Sequence, residues 1–214
     1  MKVKICGLRQ VQEIQLAEQL GVDAIGLVLY PKSKRALTLA QAKRLRAAIP
    51  DTMQCIVLLV NPSVEEVNIV IAELKPSAIQ FHGDETGEFC EQFQYPYWRA
   101  VRVGAENLTT TEEIQAYIQQ YPHSEQFLFD AYSSEYGGAG IRFNLDILKG
   151  LDLPLERMII AGGIHEGNVG ELLDHYAFID LSSGVEEIPG VKSLEKMERF
   201  MQKVHKKSTK KNIY

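Results

Sequence analysis

Eight strand-like runs, each followed by a helical pattern, recur along this chain without a composition break or linker, and no other feature constrains its fold as strongly. The runs cover residues 3–6, 24–29, 54–60, 78–81, 98–103, 127–131, 157–161 and 178–182. Most are rich in Val, Ile, Leu and Phe with little polar interruption, as expected of parallel strands buried on both faces. Helical patterns occupy 11–20, 39–48, 64–74, 87–93, 111–121, 145–148, 167–176 and 193–206. In the first, Val11, Ile14, Leu16, Ala17 and Leu20 follow one apolar helical face. Thr38, Ser63 after Asn61-Pro62, and Thr109 to Thr111 ahead of Glu112 and Glu113 supply N-terminal caps, while Lys75-Pro76 stops the third helix. The pattern predicts an α/β protein, a single (β/α)8 TIM barrel. An open doubly wound sheet usually has fewer strands and a G-x-G-x-x-G turn after the first, where this chain has Cys6-Gly7-Leu8-Arg9.

Composition narrows the class. A hydrophobic fraction of 45% over 214 residues fills the core of one large domain. The net charge of −5 at pH 7, with both signs interspersed, gives no reason to expect nucleic acid or a membrane surface as partner. Cys6, Cys55 and Cys90 are odd in number and far apart, so neither a disulfide framework nor a zinc site is expected. No apolar run approaches the ~18 residues that would span a bilayer, and Met1 leads directly into a strand pattern. A soluble, reduced, cytoplasmic protein is expected. Residues 1–205 form the expected barrel domain, and 206–214 a basic, frayed C-terminal tail whose cations suit a helix end.

In a barrel the site lies at the C-terminal ends of the strands, with phosphate usually held by the loops after the seventh and eighth. Both of those loops are rich in small residues: Ala161-Gly162-Gly163-Ile164, followed by Asn168, and Ser182-Ser183-Gly184. A third such stretch is Gly137-Gly138-Ala139-Gly140. Clustered backbone amides in glycine turns make nests for an anion, which suggests a phosphorylated small molecule. The remaining strand ends present Cys6, Ser33-Lys34-Arg35, Gln80 with His82 and Asp84, Arg102, Asp130 and Asp180. Cys6 is either a small buried hydrophobe or, with a lowered pKa, a thiolate base. Asp130 closes the apolar run Phe127-Leu128-Phe129, where desolvation would let it hold and donate a proton near neutral pH; the alternative is a turn cap. Asp180 has the same context. Arg35 is solvated charge or a fork for a substrate carboxylate.

Taken in order, Lys4-Ile5-Cys6-Gly7-Leu8, Ser33-Lys34-Arg35, Gln80-Phe81-His82-Gly83-Asp84-Glu85, Asp130 with the glycines to Gly140, Ala161-Gly162-Gly163-Ile164 with Asn168-Val169, and Asp180-Leu181-Ser182-Ser183-Gly184-Val185-Glu186 with Pro189-Gly190-Val191-Lys192 resemble the phosphoribosylanthranilate isomerase family. The resemblance implies a (β/α)8 barrel of tryptophan biosynthesis that carries out an Amadori rearrangement without metal or cofactor. It turns N-(5-phosphoribosyl)anthranilate into 1-(2-carboxyphenylamino)-1-deoxyribulose 5-phosphate. It also implies Cys6 as general base, Asp130 as general acid, Arg35 on the anthranilate carboxylate and Asp180 against the substrate. Gly138, Gly140, Gly162, Gly163, Ser182, Ser183 and Gly184 would hold the phosphate; His82, which lines the mouth or caps the next helix, is a candidate substrate contact. The expected partner is the small phosphorylated substrate, with the chain a monomer or homodimer. The alternatives are another sugar-phosphate isomerase or epimerase, or a barrel that only binds a phosphorylated metabolite. The family usually has Ser-Pro-Arg where this chain has Ser33-Lys34-Arg35, so no proline stiffens the residue before the arginine.

Overall fold

The computed structural model describes residues 1–132 and 142–211. Eight parallel strands, β1 Lys2–Cys6, β2 Ala24–Val28, β3 Gln54–Leu59, β4 Ala78–Phe81, β5 Tyr97–Val103, β6 Gln126–Ala131, β7 Met158–Ile160 and β8 Phe178–Leu181, pair in chain order. The pairing of β1 with β8 closes the barrel. Helices α1 Val11–Gln19, α2 Leu39–Arg46, α3 Val64–Leu74, α4 Gly87–Glu91 and α5 Thr111–Ile118 follow the first five strands, and α6 Leu194–Lys211 follows the last. Among the described residues no helix is long and apolar enough to cross a membrane.

Capping places these helices where the hydroxyls fall. Thr38, Ser63 and Thr110 each accept a hydrogen bond from the backbone N–H three residues on, with Gln41, Glu66 and Glu113 reaching back to complete a capping box. Lys75 ends α3 in a left-handed conformation at φ 44°, just before Pro76. Two expected helical segments are single turns of 3-10 helix, Leu145–Leu148 with the expected bounds and Val169–Glu171, shorter than the pattern over 167–176. In the second, Gly167 and Gly170 weaken any helix through 167–176, and the Asn168 side chain is spent on the preceding loop. One element escaped the sequence reading, a small antiparallel hairpin of β9 Glu186–Ile188 and β10 Val191–Lys192, turned by Pro189-Gly190. Helix α6 continues to Lys211, beyond residue 206.

Strand alternation divides the apolar residues into two sets. The larger core packs strands against helices, with Ile5, Ile25, Val57, Ile79, Val101, Phe129 and Ile179 among its members. The smaller fills the barrel itself: Ala24, Ile56, Ala78, Trp98, Ala100, Leu128, Ile159, Ala161 and Phe178. Three alanines among the strands leave room for Trp98, which meets Phe178 edge to face at 5.7 Å. Above this floor the inward positions turn polar, with Lys4, Gln80, His82, Asp130 and Asp180 all buried. The barrel interior is thus plugged by apolar side chains at one end and polar at the other. Trp98→Ala should lower unfolding free energy by about 3–5 kcal/mol in a denaturant titration, since the small residues around it cannot collapse into the space. A loss below about 1 kcal/mol would mean that Trp98 is not the plug.

Candidate active site

The polar inward positions open into a cleft of about 620 Å³, open mouth included, lined by Cys6, Arg35, Gln80, His82, Asp130, Gly162, Gly163, Asp180, Ser182 and Ser183 among others. Nine of the ten come from positions singled out in the sequence as a cysteine base, a carboxyl acid, anion anchors or substrate contacts. Gln80 is the tenth; it stood at a strand end without a role. Gly184 sits behind the wall instead: a Cβ there would fall 1.9 Å from the Ile164 carbonyl oxygen, so its glycine lets the loops after β7 and β8 touch. Gly138 and Gly140 lie outside the described residues. Arg102 pairs with Asp84 away from the cleft lining.

Cys6 and Asp130 end strands three steps apart around the barrel, β1 and β6, and both line the cleft. Burial and the nearby Asp180 charge push the Asp130 carboxyl up to about 7, against smaller pulls from the Ala131 amide, Lys4 and Arg35. Such a group holds a proton at neutral pH and can release it there. For Cys6, of the two readings open in the sequence, the structure does not give the lowered pKa. Burial, with the Asp180 charge, pushes the thiol up, although Lys4, Lys192 and Arg35 all draw it down. Cys6 is therefore a thiol in a cationic surround, and a thiolate formed here would be a strong proton acceptor.

Lys4 is the cation closest to that thiol in sequence, and it is fully buried in the middle of an apolar strand. Its Nζ meets Asp180 Oδ1 at 3.0 Å, across the β1–β8 register that pairs the two residues. Burial disfavours the ammonium, but Asp180 and Cys6 more than offset it and raise the Lys4 pKa. Asp180 is thus anchored from below while facing the cleft.

Arg35 is buried and already forked on Glu186: Nε donates to Oε1 at 2.7 Å and Nη2 to Oε2 at 2.8 Å. Its Nη1 edge makes no hydrogen bond to a described residue, which leaves that edge for a ligand carboxylate. Glu186 also accepts from Lys192 Nζ at 2.8 Å and from the Gly190 amide at 3.1 Å. Burial alone would raise its pKa, but these donors hold it at about 2. Lys192 in turn donates to the Ser182 carbonyl at 2.9 Å and to Ser182 Oγ at 3.0 Å, and Ser182 Oγ donates to the Cys6 carbonyl at 2.9 Å. One buried carboxylate therefore joins the Arg35 loop, the turn after β8 and the strand end of Cys6. The missing proline before Arg35 is compensated locally. The Ser33 hydroxyl accepts from the Arg35 amide at 3.1 Å, and Gly190 backs so closely on the Lys34 carbonyl that a Cβ would lie 2.5 Å from its oxygen.

The loops after β7 and β8 form the other end of the cleft. Gly162 and Gly163 adopt φ 82° and 60°, conformations that favour glycine. Asn168 fixes that turn, its Nδ2 donating to the Gly163 carbonyl at 2.8 Å and its Oδ1 accepting from His165 N. No described residue accepts from the backbone N–H of Gly163 or Ser183, both of which line the cleft. Unspent amides on two facing turns suit a phosphate. Lys4, Glu186 and Lys192 are site residues whose roles the sequence reading missed. The signal was available in Lys4, a cation inside an otherwise apolar strand. Among the described residues no group of three or more His, Cys, Asp or Glu side chains is placed to hold a metal.

The raised Asp130 carboxyl has a sign-definite consequence for stability. Its folded pKa of about 7 lies above its unfolded value, so its contribution is fully present below pH ~4 and is lost as pH rises through 7. Asp130→Asn should therefore gain stability relative to the parent between pH 5 and pH 8, by on the order of 2–4 kcal/mol, in paired chemical denaturation curves. A stability difference independent of pH would show Asp130 to be an ordinary carboxylate.

Comparison with known proteins gives this geometry its family. A family model described as N-(5'phosphoribosyl)anthranilate (PRA) isomerase matches residues 3–203. The chain is 40% identical to the N-(5'-phosphoribosyl)anthranilate isomerase of Bordetella avium, over 96% of this chain and 95% of that protein. Among solved structures, the phosphoribosyl anthranilate isomerase of Thermus thermophilus superposes with a TM-score of 0.83 at 31% identity, covering 96% of this chain and 99% of that one. A phosphoribosyl anthranilate isomerase in complex with reduced 1-(o-carboxyphenylamino)-1-deoxyribulose 5-phosphate superposes with a TM-score of 0.80 at 25% identity, over 96% and 99% of the two chains. With a matching model over nearly its whole length, relatives at this identity and the same closed barrel, the chain belongs to the N-(5'-phosphoribosyl)anthranilate isomerase family.

Proposed function

We propose that this cleft isomerises N-(5'-phosphoribosyl)anthranilate in tryptophan biosynthesis, with Asp130 as the general acid and Cys6 as the general base. The observation that carries the assignment is a carboxyl titrating near 7 and a cation-surrounded thiol in one cleft, between two separate anion sites. The phosphate lies on the amides of Gly163 and Ser183, and the anthranilate carboxylate on the Nη1 edge of Arg35. The sugar is thereby stretched between the loops, with Asp180 beside it. Asp130 gives its proton to the furanose ring oxygen; the C1–O bond breaks, its electrons stay on that oxygen, and the anthranilate nitrogen lone pair forms the C=N bond. Cys6, as the thiolate formed when its thiol proton passes to solvent, then removes the proton from C2, and those electrons neutralise the iminium as an enolamine; a proton returns through solvent to Asp130. Tautomerisation of the enolamine delivers the ketone. Each proton transfer contributes about 10²–10⁴-fold, and anchoring the two anionic ends supplies orientation.

Several further readings belong with this one. Residues 1–205 act as the catalytic barrel and 206–214 as a basic tail. The chain works in the cytoplasm as a monomer or homodimer, needs no cofactor, and has a small phosphorylated molecule as its partner. An isomerase described as mutually generated monomers of a dimeric enzyme is among the similar solved structures, at 26% identity and a TM-score of 0.79 over 96% of this chain and 99% of that one.

Cys6→Ala and Asp130→Asn are each expected to abolish turnover, followed as loss of phosphoribosylanthranilate fluorescence, while binding product nearly as tightly as the parent, because neither group anchors an anion. Near-parental turnover in either variant removes that residue from the mechanism. Millimolar phosphate should raise the melting temperature of the parent, and a melting curve indifferent to it would contradict the amide nests.

A further inference from the structure

Strand β4 sends alternate side chains into the barrel: Ala78 joins the inner cluster, and Gln80 and His82 line the cleft above it. Gln80 is fully buried, and its Nε2 lies 2.8 Å from His82 Nδ1. An amide NH2 can only donate, so Nδ1 is the bare acceptor and the proton of a neutral ring sits on Nε2. In this orientation Gln80 Oε1 has no hydrogen-bond partner. The ring is neutral because burial, with Lys4, Arg99 and Arg102, pushes its pKa down to about 3. Its Nε2 is buried, has no hydrogen-bond partner, and stands 3.7 Å from Asp130 Oδ2.

We propose that His82 is a positioning residue for the acid: its Nε2–H receives the carboxylate that Asp130 becomes on giving up its proton, and Gln80 locks that hydrogen on Nε2. The inference rests on the reading of Asp130 as the acid. Only one proton moves, from the Asp130 oxygen to the furanose oxygen, and His82 keeps its own throughout. At 3.7 Å the ring makes little contact with the neutral acid. Once Oδ2 carries charge, the gap closes to a charge-assisted hydrogen bond of about 2.8 Å. An interaction that strengthens as the proton leaves stabilises the transition state more than the bound substrate, so its loss appears in kcat and spares KM.

Two measurements on the full-length chain test this. Nitrogen NMR of histidine-labelled protein at neutral pH, with His82 assigned by its loss in His82→Leu, should show a neutral ring protonated at Nε2. Gln80→Leu should abolish that fixed tautomer and lower kcat about 10-fold with KM within about 2-fold. His82→Leu should lower kcat about 10- to 100-fold, the worth of one hydrogen bond to a charged acceptor. The double variant should be no slower than His82→Leu alone, because Gln80 acts only through the ring. A ring protonated at Nδ1, or parental kcat in Gln80→Leu and His82→Leu, overturns the proposal. If His82→Leu does not fold, His82→Gln replaces it, and the tautomer seen in the parent protein still decides. Full turnover in Asp130→Asn would instead defeat the underlying reading of the acid, whereas an inactive Asp130→Asn beside fully active Gln80 and His82 variants defeats this inference alone.

Discussion

The cost of burying charge governs this barrel mouth. Lys4, Arg35 and Lys192 bring three cations under the surface, and Asp180 and Glu186 bring two compensating anions at 2.7–3.0 Å. Isolated, any of these groups would cost several kcal/mol to desolvate; paired, each is tolerable, and removal of one partner leaves the other stranded at about 3–5 kcal/mol. One positive charge remains beyond the strict pairing. It surrounds the two groups that carry no full charge at neutral pH, the Cys6 thiol and the Asp130 carboxyl, and suits a dianionic phosphate and a carboxylate arriving together.

Asp130 and Asp180 show how one residue type takes two roles. Both close apolar strands and both are buried, yet Asp180 stands on Lys4 at 3.0 Å, while the ion-pair partner of Asp130 among the described residues is the neutral His82 at 3.7 Å. Burial is the largest influence on both carboxyls and raises both; at Asp180 the Lys4 ammonium works against it, whereas at Asp130 the Asp180 charge pushes further up. Substituting the residue under one carboxylate would alter the chemistry of both.

Much of this was legible in the sequence, for reasons particular to each residue. Parallel strands buried on both faces must be apolar throughout, so eight such runs announce a barrel, and the strand-end rule then nominates Cys6, Asp130 and Asp180 without reference to any relative. The turns at Gly163 and Ser183 were legible because small residues after the last two strands have few other uses. Contacts between residues distant in the chain were not legible. Arg35 and Glu186 are 151 positions apart, and their fork is visible only once the Glu186–Lys192 hairpin folds over the second strand's loop. The direction of the Cys6 shift also depended on burial and the Asp180 charge outweighing three cations, a balance that no spacing encodes. The helical pattern at 167–176 was over-read, because glycine and a loop-capping asparagine reduce it to a single turn.

The account stands on burial making Asp130 an acid at neutral pH, and carbon NMR of aspartate-labelled protein measures that directly. One carboxyl resonance, absent from the Asp130→Asn spectrum, should titrate near pH 7 while the exposed aspartates titrate near 4. If the Asp130 resonance moves with the others near pH 4, the carboxyl is already ionised at neutral pH and cannot be the proton donor of this cleft.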